Sequence, residues 1–172
     1  DLKIKTNKLI IAAVSNLKVT ASARYFGADQ KPVGSGPIPP QVGEQTRYEL
    51  RWRLTNSFHD LSSIGVIGIL PQGISWTDKK QVGSGTIAFN PITREVRWEI
   101  SRMPISIAEL NASFEVAVTP TEAQRGSLLL LLGVTRVEAQ DTIVQAPFST
   151  DALSVSSSLD ADPFARGKGV VQ

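Results

Sequence analysis

Thr46-Arg47-Tyr48-Glu49-Leu50-Arg51-Trp52-Arg53-Leu54 is the stretch whose reading decides the fold. Taken two residues at a time, Tyr48, Leu50, Trp52 and Leu54 fall on one side, with Arg47, Glu49, Arg51 and Arg53 on the other. A helix would scatter these four apolar side chains round its circumference, whereas a strand gathers them on one face. The segment is therefore predicted to be a strand, oily toward a core and charged toward water.

The same rhythm recurs in both directions along the chain. Leu17, Val19, Ala21, Ala23 and Tyr25 alternate with Lys18, Thr20, Ser22 and Arg24. Val96, Trp98 and Ile100 alternate with Glu95, Arg97 and Glu99, and Phe114, Val116 and Val118 share one phase. Turn residues fall between these runs. Leu70-Pro71-Gln72-Gly73 stops a strand, because proline has no N–H for a ladder and glycine accepts a positive φ. Asn90-Pro91-Ile92-Thr93-Arg94 reads as a hairpin loop, and Pro37, Pro39 and Pro40 mark a long extended connection. The expected architecture is all-β: an immunoglobulin-like antiparallel β-sandwich of about seven to nine strands, with an extra N-terminal strand. Residues 1–14 read as that extra strand or the tail of a preceding module, 15–159 as the sandwich, and 160–172 as a C-terminal linker.

Composition narrows the chemistry. The 172 residues include 18 Lys and Arg against 16 Asp and Glu, a formal charge of +2, with the charges interspersed. No basic block interleaved with aromatics suggests a nucleic-acid partner. The absence of cysteine excludes disulfides, thiolate zinc sites and a cysteine nucleophile. One histidine, His59, leaves no Ser-His triad or multi-histidine metal site unless another chain contributes, and its polar surroundings read as a surface loop. The apolar run at 128–134 is far shorter than the roughly 20 residues of a membrane helix, so no transmembrane segment is expected. The run at 9–14 followed by Ala21-Ser22-Ala23 mimics a signal peptide, but its apolar core is too short and a strand is the better reading.

Few residues invite a chemical role. Glu49, Glu95, Glu99 and Glu115 alternate with arginines and read as ion-paired groups on a solvated face. Asp151, Asp160 and Asp162 could offer hard oxygen ligands to calcium, yet their spacing completes no calcium loop, so no cofactor is expected. Trp52 and Trp98 are in phase with aliphatic neighbours and belong to the core. Trp76 follows the Leu-Pro-Gln-Gly turn, where an exposed indole could stack on a sugar and a buried one would plug the sandwich. Lys18 and Asn111 are the residue types of an intramolecular isopeptide, but nothing in their spacing brings them together.

The run Ser35-Gly36-Pro37-Ile38-Pro39-Pro40-Gln41-Val42-Gly43-Glu44, then Thr46-Arg47-Tyr48, then Trp52-Arg53-Leu54-Thr55-Asn56, is similar to the bacterial surface repeat family called domain of unknown function eleven. Leu70-Pro71-Gln72-Gly73-Ile74-Ser75-Trp76-Thr77, Phe89-Asn90-Pro91, Val96-Arg97-Trp98 and Asp162-Pro163-Phe164-Ala165 continue the resemblance in order, over roughly residues 17 to 170. It implies an S-layer-like, immunoglobulin-like module of an exported protein, as in candidate-phyla bacteria, placed at the cell surface and lacking catalytic residues. Members often close on Gly-Asp-Gly; Gly167-Lys168-Gly169 stands there in this chain and lacks the carboxylate a calcium role would use.

One pattern asks for a partner. Ile64, Val66 and Leu70 point inward by phase, which turns Ile67 and Ile69 outward. Placing Leu128, Leu130 and Leu132 inward likewise turns Leu129 and Leu131 outward. The outer face of a sandwich meets water, so apolar groups there need a cover. Leu9, Ile10 and Ile11 could supply it from the same chain or as a strand lent to the next. The expected function is a non-catalytic structural module of a bacterial cell-surface, S-layer-like or fibrous assembly, joining neighbouring domains or identical subunits through strand edges and apolar patches. The alternatives are an adhesin or carbohydrate-binding module contacting polysaccharide or a host surface through Trp76, and an accessory domain of an exported enzyme.

Overall fold

The computed structural model describes residues 15–172. Nine antiparallel strands form two facing sheets. The first sheet runs β1-β2-β7-β4, built from β1 (Lys18–Arg24), β2 (Thr46–Thr55), β7 (Glu109–Val118) and β4 (Ile74–Val82). The second runs β10-β9-β3-β6-β5, from β10 (Pro147–Ala152), β9 (Thr135–Asp141), β3 (Leu61–Ile69), β6 (Glu95–Met103) and β5 (Thr86–Asn90). A small third sheet pairs β8 (Leu130–Leu132) with β11 (Val155–Ser156), and the only helical element among the described residues is a 3-10 turn at Glu122–Gln124. This is the all-β immunoglobulin-like sandwich that the alternation predicted.

The two-residue rhythm becomes the core directly. Tyr48, Leu50, Trp52 and Leu54 are wholly buried, as are Val96, Trp98, Phe114 and Val116 from the facing or neighbouring strands. Trp52 meets Phe114 edge to face, with ring centres 5.0 Å apart. Both buried indoles find acceptors: Trp52 Nε1 donates to Thr135 Oγ1 at 3.0 Å, and Trp98 Nε1 to the Ser84 carbonyl at 2.7 Å. The Tyr48 hydroxyl is buried with no hydrogen-bond partner, and its burial, followed by the neighbouring Tyr25, pushes its pKa up.

β3 keeps its inner face by means of a bulge. Relative to β9 it carries one extra residue between Ser62 and Gly65, with Ser63 at φ 50°. The bulge resets the phase, so Leu61 and Ile64 are both buried although three positions apart. Gly68 then lies where a Cβ would come within 3.0 Å of the Trp52 ring and of Leu132, which explains the missing side chain at that point.

Two expectations fail at the C-terminal end. Residues 160–172 are not a linker but part of the domain: Asp162, Ala165 and Val171 are buried. Val171 N donates to the Ser127 carbonyl at 3.0 Å, Gly126 N to the Val171 carbonyl at 2.8 Å, and Gln172 N to the Pro40 carbonyl at 2.9 Å. The leucine run also departs from the predicted phase at four of its five positions, only Leu132 staying inward as expected. Leu129 and Leu131 lie in the core, at 3% and 0% exposure, while Leu128 and Leu130 face out. Pairing decides this phase: Ser157 N donates to the Leu129 carbonyl, Leu132 pairs with Val155, and Leu128 bridges to Val170. Five consecutive leucines carry no alternation from which that choice could be read.

The register fixes which loops share an end. Residues 15–17, 56–60, 104–108 and 142–146 meet at one pole, the entry pole. Residues 70–73, 91–94, 119–134 and 153–172 meet at the opposite, far pole.

Candidate functional site

Both outer sheet faces are ladders of opposite charge. On the first sheet Glu49 pairs with Arg51 and Arg53 with Glu109. On the second, Arg97 reaches Glu99 at 3.0 Å and Glu95 at 3.6 Å, and Arg136 reaches Asp151 at 3.1 Å. Ile67 points outward as predicted and is half-buried, with Arg97 and Arg136 as its register neighbours on either side. Arginine stems can shield such an apolar group while keeping their heads in water.

Glu115 departs from the solvated-face expectation. Its side chain is only 7% exposed. A two-residue widening of β4 between Trp76 and Lys80, with Asp78 at φ 64°, turns Thr77 and Lys79 onto it. Thr77 Oγ1 and Lys79 Nζ each lie 3.0 Å from its carboxylate, and Arg47 lies 3.6 Å away. The buried charge is thus matched and hydrogen-bonded, which is the condition for its being there.

The other residues singled out by sequence take structural positions. Trp76 is half-buried: Phe89 of the opposite sheet stacks on it at 5.6 Å, Phe114 flanks it at 5.3 Å, and the Lys80 ammonium lies 5.8 Å from its ring centre. The indole closes the open edge between β4 and β5, and its ring is engaged by groups of the protein itself. Asp151, Asp160 and Asp162 do not converge. Asp151 belongs to the Arg136 pair, Asp160 accepts from Ser158 at the surface, and Asp162 is buried. Among the described residues no group of three or more His, Asp or Glu is arranged to hold a metal ion. Lys18 and Asn111 are both exposed, Asn111 donating to Glu109 at 2.8 Å. Leu9, Ile10 and Ile11 lie outside the described residues.

Asp162 clamps the C-terminal segment to β1. Its Oδ2 accepts from the N–H groups of Tyr25 and Phe26, both at 2.7 Å, and its Oδ1 from Phe164 at 3.0 Å and Ala165 at 3.1 Å. Burial pushes this carboxyl up, but the four N–H donors together outweigh it and hold its pKa below the ordinary aspartate value.

A third buried carboxylate was missed by sequence reasoning, together with its histidine. His59 is no free loop residue: its Nδ1 lies 2.8 Å from Asp141 Oδ2. Asp141 also accepts from Ile143 N at 2.9 Å, Val144 N at 3.0 Å and Ser15 N at 3.0 Å. Burial raises its pKa, and these donors overcome that to hold it at about 2. The Asp141-Thr142-Ile143 stretch is an Asx-turn signal, but nothing in the chain announces a partner 82 positions away. Ser15 Oγ donates to Asn56 Oδ1 at 2.6 Å rather than to the imidazole, so the three residues form a brace and not a nucleophile relay.

The distribution of exposed oily groups is the feature that points to function. Phe58, Ile105, Ile107 and Ile143 occupy the entry pole. Ile69, Ile92, Leu128, Leu130, Val134, Leu153 and Val170 occupy the far pole. Among the described residues every large hydrophobic side chain that faces water sits at one end of the sandwich or the other. A shallow groove of about 450 Å³ on the first sheet is lined by polar groups including Glu49, Arg51, Asn111 and Ser113.

The fold is similar to that of the major pilin subunit of Bacillus cereus, with 10% identity, 81% of this chain and 40% of the pilin covered, and a TM-score of 0.50. The full-length major pilin of Corynebacterium diphtheriae matches at 9% identity over 82% of this chain and 34% of that one, with a TM-score of 0.49. The 35 kDa C-terminal fragment of the major pilin of Streptococcus agalactiae matches at 12% identity over 81% and 56%, also at 0.49. The chain spans about two-fifths of the Bacillus cereus subunit. No protein-family model and no curated protein matches the chain. At such identities the likeness is one of fold.

Proposed function

We propose that this chain is a non-catalytic structural module of a bacterial cell-surface assembly, S-layer-like or fibrous, located outside the cell and joined to its neighbours at its ends. The observation that carries this reading is the segregation of exposed apolar side chains to the two poles, with charged ladders on both faces between them. Apolar patches on water-facing ends favour contact with another body, and flanking charges disfavour flat face-to-face stacking. A contact between unlike ends of identical bodies repeats without closing and produces a filament. The likeness in fold to a major pilin subunit, and the resemblance of the Gly-Pro-Ile-Pro-Pro and Leu-Pro-Gln-Gly stretches to a bacterial surface repeat family, support the same reading. Among the described residues the buried carboxylates Asp141, Asp162 and Glu115 are each engaged by donors of the fold itself, which supports a structural rather than a catalytic role for them.

Sedimentation velocity over a range of concentrations tests the reading. The unaltered chain is expected to self-associate, and the Leu130→Lys, Val134→Lys variant to remain monomeric with its fold unchanged by circular dichroism. Equal association of the two proteins would remove the far pole from the account.

A further inference from the structure

We infer that the two poles join as knob and socket: Ile143 at the entry pole of one copy enters a cleft at the far pole of the next. The pairing rests on the end-joining reading above and gives it a polarity, with a defined surface on each side.

The knob is a rigid turn. Asp141 Oδ1 accepts from Ile143 N at 2.9 Å and Val144 N at 3.0 Å, and Asp141 N donates to the Ala146 carbonyl at 3.1 Å. Thr142 N and Oγ1 both donate to the Asp60 carbonyl, at 3.2 and 2.9 Å, which ties the turn to the neighbouring loop. Ile143 stands out from it at 69% exposure, and residues 142–146 include no charged side chain. An anchor already held in shape loses little freedom on binding.

The socket is a cleft of about 350 Å³ whose walls include Gly73, Ile74, Val118, Thr119, Leu129 and Leu130. Among the described residues no charged side chain lines it. The grooves over the two sheets differ in this respect, since Glu49 and Arg51 line one and Arg97 and Glu99 the other. The cleft walls are braced as firmly as the knob. Ser157 Oγ accepts from Leu129 N at 2.9 Å, and Ser157 N donates to the Leu129 carbonyl at 2.8 Å. Arg94 Nη2 donates to the Pro71 carbonyl at 2.7 Å and to the Ile74 carbonyl.

Shape and charge select this pairing over its rivals. Knob against knob would leave both convex ends in water, and cleft against cleft would enclose a void. Only the convex end against the concave one packs both surfaces closely. Neither surface carries a charge into the contact, so no desolvated ion has to be matched. Apolar anchors seated in such pockets carry much of the energy of a protein contact. Each junction also leaves one knob and one cleft free, so that addition continues.

Sedimentation velocity on two variants at exposed positions tests the pairing. Ile143→Asp spoils the knob, Thr119→Arg fills and charges the cleft, and each variant alone is expected to be monomeric. Mixed in equal amounts they should form dimers and nothing larger, because one intact knob meets one intact cleft and both outer ends are spoiled. Association of Ile143→Asp by itself would overturn the pairing, as would a mixture that stays monomeric. An unaltered chain that stays monomeric would instead remove the end-joining reading, and the pairing with it. Should either variant fold poorly by circular dichroism, the absence of cysteine from the chain allows a second measurement. Chains carrying Ile143→Cys and chains carrying Thr119→Cys, mixed and treated with a short bismaleimide, should yield mainly mixed dimers. Dimers of like chains in equal or greater yield would overturn the pairing.

Discussion

Strands β2 and β7 and the segment 153–172 are both integral to the sandwich, and they are held by different physics. The strand pair keeps ten residues of each strand in unbroken register and buries every second side chain of β2 from Thr46 to Leu54. The C-terminal segment has one short strand pairing and little periodicity. It is secured instead by one buried carboxylate with four N–H donors, by the Ser157 hydroxyl donating to the Gly169 carbonyl at 2.6 Å, and by backbone contact so close that a Cβ on Gly169 would lie 1.4 Å from the Ser157 carbonyl oxygen. Oily side chains can hold a regular element wherever they alternate. An irregular one needs specific acceptors and specific gaps.

The comparison can be broken at its stronger side first. Trp52→Ala removes the largest buried group of β2 and its bond to Thr135, and should cost about 3–5 kcal/mol in denaturant unfolding. A loss under 1 kcal/mol would mean that the centre of the sandwich is not packed as described. Gly169→Ala tests the other side. The added methyl must push the segment off Ser157, at a cost of about 1–3 kcal/mol, and hydrogen exchange should rise at 157–172 while β2 and β7 keep their protection. Uniform exchange would show that the segment does not act as a separate unit.

Acid sharpens the contrast with a smaller effect. Asp141 sits at about 2 in the folded chain against an ordinary 3.8, and Asp162 is lowered in the same direction. Carboxylates depressed in the native state give stability that is fully present above the unfolded value. It should therefore be intact above pH 4 and decline as pH falls toward 2. Asp141→Asn should flatten that decline at the entry pole and lower stability near neutrality. An unchanged pH profile in the variant would show that the brace around His59 does not hold the pole together.

The same contrast explains what was legible in the sequence. β1, β2, β6 and β7 could be read because one face is apolar and the other charged, and Ile64 and Val66 on β3, with Leu70 just beyond it, are buried as their phase predicted. β4 was harder to read, since its widening at Thr77 to Lys79 breaks the rhythm to bring a lysine onto Glu115. The leucine run hid its phase because all its members are alike, and Leu129 and Leu131 proved to be core. The segment after Asp160 looked like a linker because hydrogen bonds, unlike burial, leave no period. Asp162-Pro163 is a turn signal, but its capture of Tyr25 and Phe26 spans more than a hundred positions. The clustering of exposed hydrophobics at two poles depends on which loops share an end, and that is known only once the strands are paired.

Negative-stain microscopy of the full chain at rising concentration puts the end-joining claim to its most direct test. Threads one module wide, abolished by Leu130→Lys with Val134→Lys, are the predicted result. Flat sheets, or single particles at every concentration, would contradict it.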